Sequence, residues 1–140
     1  MALQVSHAQV WAVAIEDRPG AAAEKLRALA GAGANLDFVV SRRTHEKDGA
    51  VLFVSPIRGD AAVKAAQTVG FSVAQGLRGL RVEGFDAPGL AAGVTGALAD
   101  AGINLRGVSA AAIDGKMVCY LSFDSDADAG KAAEVLTNLE

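Results

Sequence analysis

The sequence predicts an α+β fold built from two βαββαβ units, and three observations carry that prediction. The first is an internal repeat. Asp17-Arg18-Pro19-Gly20 … Gly33-Ala34-Asn35-Leu36 returns as Asp86-Ala87-Pro88-Gly89 … Gly102-Ile103-Asn104-Leu105, every matched residue displaced by 69 positions. Over Asp17 to Leu36, 12 of 20 positions are identical to Asp86 to Leu105, and seven of those identities are not alanine, so an Ala-rich composition does not account for them. A fixed-period repeat of this kind marks a duplicated supersecondary unit. The second observation is that strand-like and helix-like hydrophobic periods alternate in the same order in both copies. The third is a hairpin signal in each copy, Lys47-Asp48-Gly49 and Asp114-Gly115.

The elements follow in order. Gln9 to Ile15, with Val10, Trp11 and Val13, reads as a strand. Pro19 falls in the first turn of the next helix, where its missing N–H has no intrahelical acceptor to lose. Asp17 is placed to cap that helix or to favour its positive end. Leu26, Leu29 and Ala30 share one helical face, and Gly31 and Gly33 stop the helix because glycine enters the left-handed region without a Cβ clash. Leu36 to Val40 and Val51 to Val54 are strands around Lys47-Asp48-Gly49. Gly59-Asp60 opens a helix through Val63, Ala66 and Val69, and Phe71 to Ala74 closes the unit as a strand.

In the second copy Leu80 to Phe85 is a strand, and Leu90, Val94 and Leu98 form a helical stripe. Ile103 to Ile113 and Met117 to Phe123 are strands around Asp114-Gly115. Ser125-Asp126-Ala127-Asp128 opens a last helix through Val135, Leu136 and Leu139. With Glu140 reached, the second unit is expected to lack its last strand, and Leu3 to Ser6 is the candidate to supply an edge in its place. The order is the ferredoxin-like split βαβ arrangement. Two antiparallel sheets side by side, with helices on one face, are the expected architecture. The expected domains are residues 1–76 and 77–140, joined by the short glycine-containing stretch Gln75 to Gly79. Each half of ~70 residues would bury only a marginal core by itself, so the two are expected to fold together.

Composition excludes several functions. The net charge of −3, with Arg42-Arg43 the only adjacent basic pair, gives no basic stripe for nucleic acid. No apolar run approaches the ~18–20 residues of a membrane span, and Met1 to His7 lacks the charged and apolar regions of a signal peptide. Cys119 is the only cysteine, which agrees with a reducing, cytoplasmic setting. His7, read as part of a frayed terminus, and His45, in a charged hairpin loop, are surface residues rather than catalytic bases. They make a poor transition-metal site with Cys119. Cys119 falls in an apolar strand and reads as an inert core residue. Asp124, Asp126 and Asp128 lack the glycine and glutamate of a calcium loop and read as a capping acidic turn. Gly31-Ala32-Gly33 ends a helix rather than opening one, so it is no dinucleotide fingerprint. No catalytic residue and no cofactor is expected.

The repeated turns hold the remaining chemistry. A helix start presents unpaired N–H groups and partial positive charge, which suit a carboxylate. Gly20 and Gly89 remove the side chain that would keep a ligand from the backbone. Asp17 and Asp86 can accept from an ammonium group, and Asn35 and Asn104 both donate and accept. Together these groups match a small zwitterion. The two turns of one copy should nevertheless lie at opposite ends of their helix, so a site using both belongs to an interface. The plain alternative is that Asp-x-Pro-Gly is a good helix-starting turn and Gly-x-Asn a good helix stop.

Asp-x-Pro-Gly after the first strand, a helix ending in Gly-x-Asn-Leu, and the βαββαβ order resemble the ACT domain. The doubling resembles tandem ACT-domain proteins, from about Gln9 to Leu139. The resemblance implies a regulatory module that binds an amino acid or similar small effector where units pair. It places the ligand-binding positions at Asp17, Arg18, Pro19, Gly20, Asn35 and Leu36, and at Asp86, Ala87, Pro88, Gly89, Asn104 and Leu105. The second copy departs at Ala87 for Arg18, and at Gly93, Gly96 and Gly107 for Glu24, Arg27 and Phe38, so equal binding is not implied. Those glycines are candidates for close helix packing. The expected partners are the effector, a second copy in a homodimer, and a metabolic enzyme. The competing expectation is a ligand-free interaction module pairing with such an enzyme.

Overall fold

The computed structural model describes residues 2–139. In chain order the elements are β1 (Gln4–Glu16), α1 (Ala21–Gly31), β2 (Phe38–Arg43), β3 (Gly49–Ser55), α2 (Asp60–Thr68), β4 (Ser72–Phe85), α3 (Leu90–Asp100), β5 (Gly107–Ile113), β6 (Lys116–Phe123) and α4 (Asp126–Thr137). The fold is α+β, with antiparallel pairing throughout the registered ladders. Two compact units are present: Gln9–Ala74, here the first unit, and Met1–Ala8 with Gln75–Glu140, the second.

In the first unit the strands run in the order β2-β3-β1-β4, with Trp11 opposite Val54 and Val39 opposite the same residue from the other side. Residues of alternate register face α1 and α2. Trp11, Val13, Leu52 and Val54 from the strands meet Leu29, Ala62 and Ala66 from the helices in one buried cluster. In the second unit the order is β1-β4-β6-β5. Its cluster takes Leu80, Val82, Leu121 and Phe123 from the strands, and Val94, Leu98, Ala132 and Leu136 from the helices. Buried positions correspond at the 69-residue period, among them Trp11 and Leu80, Val13 and Val82, Leu29 and Leu98, Leu52 and Leu121, Val54 and Phe123. Burying a side chain of this size stabilises by about 1.5–3 kcal/mol, so the duplicated positions carry much of each core.

No strand follows α4 among the described residues. The fourth place in the second unit's sheet is taken by the N-terminal part of β1, and Leu3 and Val5 pack on that unit's core. Glycine makes the approach possible. A β-carbon on Gly79 would stand 2.7 Å from the Ala8 carbonyl oxygen, and one on Gly84 would stand 2.8 Å from Leu3 Cδ2. His7 therefore lies within a strand rather than in a frayed end. The stretch Gln75 to Gly79, expected as a join, is part of the unbroken strand β4, which merges the two strands read separately at Phe71 and Leu80.

Helix ends explain why β2 and β5 begin later than expected. Gly33 and Gly102 take φ of +85° and +74°. The Ala34 N–H then reaches back to the Leu29 carbonyl at 3.1 Å, and the Ile103 N–H to Leu98 at 2.9 Å, the six-to-one bond of a Schellman stop. Ile103 is spent closing α3 and filling the core, and ladder pairing begins only at Gly107. Ser125 caps α4 by accepting from the Asp128 N–H at 3.1 Å. Gly96 makes no close packing: a β-carbon there would meet nothing within 4 Å. Among the described residues no helix is long and apolar enough to cross a membrane.

Candidate functional site

Both Asp-x-Pro-Gly turns adopt one backbone design. Gly20 and Gly89 are the N-caps of α1 and α3, at φ of +87° and +84°. The helices begin at Ala21 and Leu90, so Pro19 and Pro88 precede the helix instead of occupying its first turn. The Ala21 N–H reaches the Arg18 carbonyl at 3.3 Å, and the Leu90 N–H reaches that of Ala87 at 3.2 Å. Neither aspartate caps its helix, since neither helix has a side-chain cap. A glycine in the left-handed region turns the chain before the first helical residue and leaves the aspartate outside. Their backbones tie the turns to the hairpins instead: Asp17 N–H to the Asp48 carbonyl at 2.7 Å, and Asp86 N–H to that of Gly115 at 2.9 Å.

The side chains differ. In the first unit Arg18 closes the turn on itself. Its Nη2 donates to Glu24 at 3.0 and 3.1 Å, its Nε to Glu16 at 2.7 Å, and its Nη1 to the Pro19 carbonyl at 3.3 Å. Glu24 first, then Glu16, hold the guanidinium more firmly protonated than usual. Arg18 in turn keeps the Glu24 carboxyl below the ordinary carboxylate range. Asp17 pairs with Arg43 Nε at 2.9 Å. The donors and acceptors of this turn are thus largely engaged within the unit.

In the second unit the positions of Glu16, Arg18 and Glu24 hold Phe85, Ala87 and Gly93. An open cavity of ≈ 310 Å³ lies there, lined by Ala2, Leu3, Phe85, Ala87, Pro88, Gly89 and Leu90. Phe85 is 79% exposed, and a β-carbon on Gly89 would touch nothing within 4 Å. Ala87, Pro88 and Gly89, read from the sequence as ligand-binding positions, are among the residues that line this cavity. Sequence reading missed Phe85, Leu90 and the N-terminal pair, although the exchange of Glu16 for Phe85 at the repeat period was a signal for the first of them.

The other predicted residues lie elsewhere. Asn35 and Asn104 are exposed, and Leu36 and Leu105 are half-buried against their unit's core. They sit at the far end of each helix: the Asp37 N–H meets Ser55 at 2.9 Å and the Arg106 N–H meets Ser122 at 2.9 Å, whereas the first turns meet the hairpin ends. Within a unit, then, turn and asparagine are not brought together. Cys119 is buried and its thiol is pushed up by that burial. Among the described residues no cluster of three or more His, Cys, Asp or Glu is arranged to hold a metal ion.

Two ferredoxin-like units, each opening its first helix on Asp-x-Pro-Gly and closing it on Gly-x-Asn-Leu, define a class of duplicated small modules. Residues 79–140 match the ACT domain family. The first unit repeats the same element order and the same two turns outside the matched residues. No curated protein matches the chain in sequence. Among solved structures, a protein from Bacteroides thetaiotaomicron superposes with a TM-score of 0.77 at 21% identity, covering 94% of this chain and 88% of that one. The regulatory subunit of aspartate kinase from Thermus thermophilus, in a ligand-free form, gives 0.68 at 18% identity, covering 99% and 97%. Aspartokinase III from E. coli, solved with aspartate and ADP, gives 0.59 at 20% identity, covering 99% of this chain and 33% of that one.

Proposed function

We propose that this chain is a non-enzymatic regulatory protein that binds a small ligand, an amino acid, at interfaces between ACT-like units. The observation that carries the reading is the cavity at Ala87-Pro88-Gly89, against a helix start whose glycine leaves the backbone open to a ligand. The ligand carboxylate is received by backbone N–H groups at the start of α3, where the helix presents positive partial charge. Its ammonium group is held by Asp86 and by an asparagine such as Asn104 contributed by a second copy, since a unit's own asparagine lies at the wrong end. Binding that bridges two copies favours the paired state, and this population shift is the signal.

The signal passes to a metabolic enzyme. Support comes from neighbours described as regulatory subunits of aspartate kinase, and from the aspartokinase of which this fold spans a third. The protein acts in the cytoplasm, with Cys119 kept as a thiol. A ligand-free, interface-only role is favoured for the first unit alone, because Arg18 already engages the groups of that turn.

A thermal-shift screen against the twenty amino acids tests the proposal. A ligand at a hundredfold excess over its dissociation constant stabilises the native state by about 2.7 kcal/mol. A selective rise in melting temperature is the expected result. A flat response at millimolar concentration overturns the amino-acid reading.

A further inference from the structure

The two turns share a backbone but not a filling, and the difference is concerted. All three members of the Glu16–Arg18–Glu24 clasp are exchanged in the second unit, for Phe85, Ala87 and Gly93. Removing Arg18 alone would leave two carboxylates without their common partner. Removing all three leaves none, and substitutes a cavity for an ion network. The lining residues are alanines, leucines, a proline, a glycine and an aromatic ring, with no ionisable side chain among them. Its ≈ 310 Å³ lies at the low end of the ~300–1,000 Å³ of small-molecule sites, a size suited to one amino acid.

We infer that the second unit's turn is the ligand site of the chain and takes an amino acid with an apolar side chain, while the ionic clasp excludes ligand from the first. The inference rests on the amino-acid reading above and narrows it. A charged or hydroxylated side chain placed against Leu3, Phe85 and Leu90 loses water with no partner to replace it. An aliphatic or aromatic one covers the exposed ring of Phe85 and what is left open of the half-buried Leu3. In the first unit the same space presents Arg18 with both of its carboxylates satisfied, so an incoming carboxylate would have to displace Glu24.

Titration calorimetry on the full chain tests this with L-leucine, L-phenylalanine, L-threonine, L-lysine and L-aspartate, and with 4-methylpentanoate as an apolar carboxylate without the amine. The expected result is one ligand per chain and dissociation constants for leucine or phenylalanine at least ~10-fold below those of the polar three, since single methylenes already discriminate by about 10–200-fold. Rebuilding the clasp with Phe85→Glu, Ala87→Arg and Gly93→Glu abolishes binding. Ala87→Arg alone, the milder change, weakens it at least ~10-fold. Glu24→Gln, in the other turn, leaves the affinity of the second unit's site unchanged. Circular dichroism and melting temperature confirm that the variants fold.

Tighter binding of lysine, aspartate or threonine overturns the inference and leaves the amino-acid function standing. Binding of 4-methylpentanoate with no amino acid bound overturns the amino-acid reading, and with it the ligand class, while keeping the apolar cavity. Two equivalent ligands per chain, or no binding of any probe, overturns the assignment of a single site to the second unit.

Discussion

The turn at Asp17–Gly20 and the turn at Asp86–Gly89 are nearly the same piece of backbone. Their glycines differ by three degrees in φ, at 87° and 84°. Several of their hydrogen bonds correspond: Glu24 N–H to Gly20 at 3.0 Å beside Gly93 N–H to Gly89 at 2.8 Å, and each aspartate N–H to its hairpin. Yet one turn is closed by an arginine between two glutamates and the other opens on an apolar cavity. Duplication preserved the scaffold, and three side-chain positions separate the filled turn from the open one.

The same split appears away from the turns. Lys25 of α1 donates to the Val69 carbonyl at the end of α2 at 2.7 Å, whereas in the second unit Lys131 of α4 donates to Ala101 at the end of α3 at 3.0 Å. Each unit therefore ties one helix C-terminus with a lysine from the other helix, but the donor helix has changed. On the sheet register that faces away from the cores, Arg81 and Glu83 pair at 2.8 Å and Lys116 joins Glu83 at 3.1 Å. Arg81, then Lys116, holds the Glu83 carboxyl below its ordinary range. The first unit has Ala12 and Ala14 at those two strand positions.

If the cores are equivalent, the largest effects should be matched. Leu29→Ala and Leu98→Ala, both fully buried at the same repeat position, should each destabilise by about 2–5 kcal/mol, read from urea unfolding. A cost confined to one of them would break the comparison. Next come the cap glycines. Gly20→Ala and Gly89→Ala force an L-residue into the left-handed region at about 1–2 kcal/mol each. Steric contact adds little, because the nearest atom to a Gly20 β-carbon is Arg18 Nη1 at 4.0 Å. Equal losses in melting temperature are expected, with ligand response falling only for Gly89→Ala.

Ser125→Ala should cost about 1 kcal/mol, because among the helices of the described residues α4 alone is capped by a side chain. This marks a difference between the units that the turns do not share. The smallest effect belongs to the clasp, which is exposed and screened by water. The folded Glu24 pKa is depressed, so the clasp's contribution is complete above the unfolded carboxylate value of about 4.3 and is lost as pH falls through the lower folded value. The melting-temperature gap between the native chain and Arg18→Ala should therefore be small near neutrality, shrink in high salt, and close on acidification. A gap that widens in acid would contradict the ion-pair account.

Much of the fold was legible because its signals are local. The 69-residue repeat, the Asp114-Gly115 turn with both residues at positive φ and the Ser125 cap each declare an element through chemistry within a few residues. The unbroken strand β4 was hidden because the glycine-containing stretch Gln75 to Gly79 reads as a join between the copies. What occupies the space at Gly79, the Ala8 carbonyl, is 71 residues away in sequence. The site was half legible for the same reason. Gly20 and Gly89 announce an open backbone, but Leu3 reaches the cavity only through the sheet. Whether Arg18 is a ligand contact or a self-made plug depends on Glu16 and Glu24 together, and motif matching treats each position alone.

The central claim is that one of two identical backbones is open and the other is closed. It is tested most directly by a nitrogen-edited NMR titration of the full chain with L-leucine. The account predicts saturable shifts of the Leu3, Phe85, Ala87, Gly89 and Leu90 amides, with those of Arg18, Gly20 and Ala21 unmoved. Shifts of equal size at Gly20 and Gly89, or shifts confined to the first turn, would contradict it.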